Sequence, residues 1–228
     1  MKKAYFCIDG FSFKRINDFY RYEHRRRSRL NIASMETYLR YEIQSRFEWE
    51  SDSGNLEIEK HYYYPSESPL KGFYRSDVKN AILNFEKNLM ELGYIVHYAR
   101  QGDINPKPNE NLFSDWVVAN ELRKYDVFVL LSTQGQHAGI LRQARLCNVP
   151  SILIGWESAC RNSFGERSRW KTDKTLVGYA NAYCALEKTL NRPRRKNPFT
   201  DIMFENFNFC IPASRVQYPQ ASSYGTRL

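Results

Sequence analysis

The sequence predicts an α/β domain built on a mostly parallel central sheet. Short apolar runs of strand length, at 4–8, 127–132 and 151–156, alternate with stretches of helical periodicity. Two of these runs, VFVLLS and SILIGW, are largely apolar throughout, as strands buried on both faces are. The helical stretches between strands hold about ten to fifteen residues, the signature of crossover units joining parallel strands.

Taken in order, AYFCI (4–8) reads as a buried strand ended by Asp9-Gly10. A strongly basic stretch, 13–31, follows it, with aromatic residues between the cations. Ser34 is placed to cap a helix running to about Phe47, with Glu36 in its first turn. After the turn cluster 51–55, LEIEKHYYY (56–64) reads as a second strand, on which Tyr63 faces opposite to Tyr62 and Tyr64. From Asp77, Val78, Ile82, Phe85, Leu89 and Leu92 recur at helical spacing, and Gly93 is placed to end that helix. YIVHY (94–98) is the next strand, then a polar loop at 101–111 and a helix over about 113–124. The VFVLL strand, a helix at 138–147 and the SILIG strand follow; 157–174 reads as irregular and basic, and 176–186 as a final helix or strand. One domain over 1–190 with a basic, Pro-containing extension at 191–228 is the organisation this implies.

Composition narrows the function classes. Of 228 residues, 34 are Lys or Arg and 25 Asp or Glu, a net charge of +9 that favours a polyanionic partner, nucleic acid before membrane. The five cysteines are widely spaced with no CxxC pair, so neither a zinc site nor a disulfide framework is expected; Cys7 and Cys184 read as core residues. No signal peptide and no apolar stretch near 18 residues is visible, so a soluble, cytoplasmic protein is expected.

In an open parallel sheet, ligands collect at the carboxyl ends of the strands. Those ends carry Asp9-Gly10-Phe11-Ser12, the loop leading to Asp115, and Ser132-Thr133-Gln134-Gly135-Gln136-His137. A loop-borne polar histidine such as His137 is more often solvated than a ligand. The cations Lys14, Arg15, Arg25, Arg26, Arg27 and Arg29 would lie beside this edge and are candidate phosphate contacts, with the interleaved aromatics available to stack bases.

In the order and spacing of these motifs over roughly 4–190, the chain resembles the NYN domains of the PIN-like nuclease superfamily. Ile8-Asp9-Gly10-Phe11-Ser12 is similar to the family's IDG-x-N motif, and His61 to Pro65 to its Tyr-rich strand before a Pro loop. Ser114-Asp115-Trp116 stands where a helix begins with an Asp, Leu130-Leu131-Ser132 ends the apolar strand, and Gly155-Trp156 ends the next. The resemblance implies a three-layer, PIN-like or Rossmann-like fold and a site at which carboxylates hold Mg²⁺ or Mn²⁺ to activate water against an RNA phosphodiester. It assigns Asp9 and Asp115 as catalytic residues and metal ligands, with Glu121 a further ligand, although Glu121 lies about 120° around a helix from Asp115.

The sequence departs from the family where two aspartates should follow the VFVLL strand: Gln134 and Gln136 stand there, and Ser12 replaces the Asn after IDG. Glutamine keeps a carbonyl oxygen and loses the charge. Ser12, Ser132, Gln134 and Gln136 are candidate substrate contacts, and the two glutamines read equally as remnants of a lost site. Two functions follow: a weak metal-dependent ribonuclease, or a catalytically inactive RNA-binding or protein-interaction module. A homodimer or a protein partner is open on this reading.

Overall fold

The computed structural model describes residues 1–24, 26–47, 56–64, 75–98, 116, 124–161, 167–191 and 202–204. Strand β1 (Lys2–Asp9) leads into helix α1 (Gly10–Asp18), which continues as a wider turn over Phe19–Glu23. Helix α2 (Met35–Phe47), β2 (Leu56–Tyr63), α3 (Ser76–Glu91) and β3 (Tyr94–His97) follow. Then come β4 (Val127–Leu131), α4 (Ala138–Leu146) and β5 (Ser151–Gly155). The strands β6 (Ser158–Arg161) and β7 (Arg167–Trp170), α5 (Lys174–Tyr179), β8 (Ala182–Ala185) and α6 (Leu186–Leu190) complete the chain.

Six strands form one sheet in the order β3-β2-β1-β4-β5-β8, every pair parallel. The α/β class is as the apolar runs indicate. Strand order reverses between β1 and β4, whose register pairs Ile8 with Leu131, so the crevice beyond these two carboxyl ends is the topological switch point. Side-chain alternation along β1 divides the core: Ala4, Phe6 and Ile8 join the cluster under α1, α2 and α3, while Tyr5 and Cys7 join that of α4 and Trp116. Tyr62 and Tyr63 divide between the same two clusters, and Cys7 and Cys184 are buried as expected.

Several local expectations change. Ser34 does not cap α2. A single turn at Ile32–Ser34 precedes the helix, so the cap moves back to Asn31, whose Oδ1 accepts from Ala33 N, while Ser34 Oγ donates to Ile202 O at 2.5 Å. Met203 and Phe204 are buried, and Phe204 bridges to Leu30, so this segment packs against the stretch after α1. Val78 is 42% exposed because α3 packs through Phe85 and Leu89 in its later turns; Gly93, at φ +78°, ends it as read. Within the stretch 157–174, the described residues form an antiparallel strand pair, β6 with β7, followed by the start of α5. Its charged residues hide any apolar alternation. Thr172 Oγ1 ties it to the sheet by accepting from Trp156 N at 2.8 Å. Among the described residues no helix is long and apolar enough to cross a membrane.

Candidate functional site at the switch point

The last residue of β1 is Asp9, which alternation turns towards the loop before α4. Gly10 follows because the chain there grazes β2: a Cβ on it would lie 2.6 Å from Tyr63 O and 2.9 Å from Tyr62 Cε1. Asp9 is 3% exposed, and its carboxylate is enclosed by donors. Oδ1 accepts from Phe11 N at 3.0 Å, capping α1. Oδ2 accepts from Ser12 Oγ at 2.7 Å, Ser132 Oγ at 2.9 Å and Gln134 Nε2 at 3.1 Å.

These donors are themselves held. Thr133 N donates to Ser12 Oγ at 2.9 Å and Gln134 N to Ser132 Oγ at 3.1 Å, while Gln136 Nε2 donates to Gln134 Oε1 at 2.8 Å. The two glutamines thus form a chain ending on Asp9. An amide can donate to a carboxylate; an aspartate in its place could only repel it. Burial alone would push the Asp9 carboxyl up. The His137 ring and the Ser12 and Ser132 hydroxyls outweigh it and hold the group below its ordinary value.

His137 corrects an expectation. It is buried, not solvated, because it opens α4 from a tight turn against the sheet, and its Nε2 lies 3.5 Å from Asp9 Oδ2. That is ion-pair range, not hydrogen-bond geometry, and neither ring nitrogen has a hydrogen-bond partner among the described residues.

The predicted site residues Asp9, Ser12, Ser132 and Gln134 are therefore brought together, with Gln136 one step out. Asp115, Glu121 and Arg25 lie outside the described residues. Among the described residues there is no group of three or more His, Cys, Asp or Glu side chains placed to hold a metal ion. A hard divalent cation needs free oxygen lone pairs, and those of Asp9 Oδ2 face N–H and O–H donors. The described side chains alone do not fit Mg²⁺ or Mn²⁺.

The basic residues divide. Lys14 and Arg15 stand on α1 beside the switch point, Lys14 paired with Asp18 at 2.5 Å. Arg26 lies over the Phe204 ring, 4.8 Å from its centroid, and serves the packing of that segment. Arg27 is exposed, in the left-handed region at φ +51°, and Arg29 is half-buried. On the outer side of α1 there is a cleft of about 300 Å³, lined by Phe11, Lys14, Arg15, Glu23, Trp156 and Trp170 among others. Trp170, in a stretch whose sequence reads as irregular, and Thr133, which bonds Ser12 through its N–H and hydroxyl, are the residues here that sequence does not single out.

Compared with solved structures, the chain is similar to a protein of unknown function from Vibrio parahaemolyticus, at 14% identity and a TM-score of 0.51, over 81% of this chain and 93% of that one. At that identity the likeness is one of fold. No protein-family model matches the chain, and no curated protein matches its sequence.

Proposed function

We propose that this chain is an RNA-binding module of NYN/PIN-like type, in which Asp9 anchors the switch-point loops and does not catalyse. The observation that carries this reading is the occupancy of Asp9: one buried carboxylate accepts from Phe11, Ser12, Ser132 and Gln134. A catalytic carboxylate must offer lone pairs to water, metal or substrate; those of Oδ2 face Ser12, Ser132 and Gln134, which tie β1 and α1 to the loop after β4.

The α1 N-terminus is likewise closed to phosphate, since Asp9 caps it. Phosphate contacts then fall to side chains, of which Lys14 and Arg27 are exposed on the basic segment. The net charge of +9 supplies the long-range attraction. Single-stranded RNA fits this better than duplex, because exposed aromatics such as Phe11 and Tyr22 stand among the cations.

Fluorescence anisotropy of a labelled single-stranded RNA against salt tests the reading. Each neutralised phosphate contributes about 0.7 to the slope of log affinity on log salt, so Lys14→Ala with Arg27→Ala should flatten it by roughly 1.4. An unchanged slope, or no binding at low salt, would sink the proposal.

A further inference from the structure

We infer that the cleft beside α1 is a pocket for a single nucleobase of a bound RNA, with guanine the base it fits best; this rests on the RNA-binding reading above. The cleft opens at the carboxyl edge of the sheet. Phe11 is two residues beyond Asp9, and Trp156 directly follows β5. Its volume of about 300 Å³ is at the lower bound for ligand sites, enough for one base and too little for a dinucleotide.

Its walls are flat rings. Trp156 is 1% exposed and fixed edge-on by Phe19 at 5.1 Å, so it forms the floor. Phe11 is 40% exposed, a large ring left open on the first turn of α1. The Arg15 guanidinium lies over the Trp170 ring, 3.3 Å from its centroid, and over that of Phe11 at 5.0 Å. A planar, delocalised cation stacked on tryptophan extends the flat lining of the cleft, and bases stack on guanidinium planes as well as on rings.

The polar groups fit the rest of a nucleotide. Among the described residues Lys14 is held by its exposed pair with Asp18 alone, and such surface pairs are weak enough to exchange for a phosphate. Glu23 lines the cleft, and its carboxylate has no hydrogen-bond or ion-pair partner among the described residues. Stacking alone tolerates any base. A free carboxylate does not: guanine alone among the four bases presents two adjacent N–H donors on its Watson–Crick edge, which a carboxylate accepts in parallel.

Quenching of the intrinsic tryptophan fluorescence of the full chain tests this, titrated with GMP, AMP, CMP, UMP and ribose 5-phosphate. The expected result is saturable quenching by the nucleotides, about tenfold tighter for GMP, and none by ribose 5-phosphate. Phe11→Leu, at an exposed position, should weaken all four by at least about fivefold, and Glu23→Gln should abolish the preference for GMP while leaving AMP unchanged. Equal quenching by ribose 5-phosphate, or GMP affinity unmoved by Phe11→Leu, overturns the pocket; a preference that survives Glu23→Gln overturns the guanine assignment. The oligonucleotide UUGUU separates the two readings. Bound equally by wild type and Phe11→Leu, it overturns the pocket and leaves RNA binding standing; unbound while GMP binds, it overturns RNA binding and, with it, the assignment of the pocket to a base of bound RNA.

Discussion

Replacing Asp9 by Asn keeps the shape and removes the charge, and its sign of effect separates an anchor from a metal ligand. Four hydrogen bonds end on this side chain, three at Oδ2 and one at Oδ1. Bonds to a charged acceptor are worth about 1 kcal/mol more than bonds to a neutral one, so the three at Oδ2 lose about 3 kcal/mol together. The new NH₂ must face a donor. The least costly choice is Phe11 N, which gives up the α1 cap for about 1 kcal/mol. Relief from burying a charge offsets part of this, leaving a net loss of about 2 to 3 kcal/mol. For a chain of this size that is roughly an 8 °C fall in Tm. In a cluster of like-charged metal ligands the same substitution would relieve repulsion and raise stability without metal. Urea and thermal unfolding followed by circular dichroism in EDTA is the assay. An Asn variant as stable as wild type, or more so, would refute the anchor.

Two further outcomes follow from the same geometry. The Asp9 carboxyl sits below its ordinary value in the folded chain, so it contributes stability above the unfolded value and loses it as pH falls through the folded one. The Tm gap between wild type and Asp9→Asn should therefore narrow between about pH 5 and pH 3, and a gap that widens on acidification would contradict the direction. Gly10→Ala drives a Cβ to 2.6 Å from the Tyr63 carbonyl, on a strand paired along its whole length, and should cost about 3 kcal/mol in unfolding free energy. Unchanged stability would mean that the strands can part at Gly10.

The sheet was legible because strands buried on both faces leave unbroken apolar runs, as VFVLL and SILIG do. The β6–β7 pair was not, since its strands are four residues each and carry arginines where an apolar alternation would show. Ser34 misled because a single turn before α2 moves the cap three residues back, a shift that composition does not mark. At the site, strand-end position was enough to bring Asp9, Ser12, Ser132 and Gln134 together. What sequence could not give is the direction of their hydrogen bonds. Gln134 reads as a lost ligand until its amide is seen donating to Asp9, and His137 reads as a loop residue until the turn before α4 buries it. Phe11, Trp156 and Trp170 stand far apart in the chain, and only the return of the strand pair to α1 makes them neighbours.

The proposed function is RNA binding without metal-dependent cleavage at Asp9. The direct measurement follows one labelled single-stranded RNA with purified protein in EDTA, Mg²⁺ and Mn²⁺, wild type beside Asp9→Asn, reading anisotropy for binding and a denaturing gel for cleavage. The expected result is binding in all three buffers and intact RNA throughout. Cleavage that needs Mg²⁺ or Mn²⁺ and disappears in Asp9→Asn would contradict it.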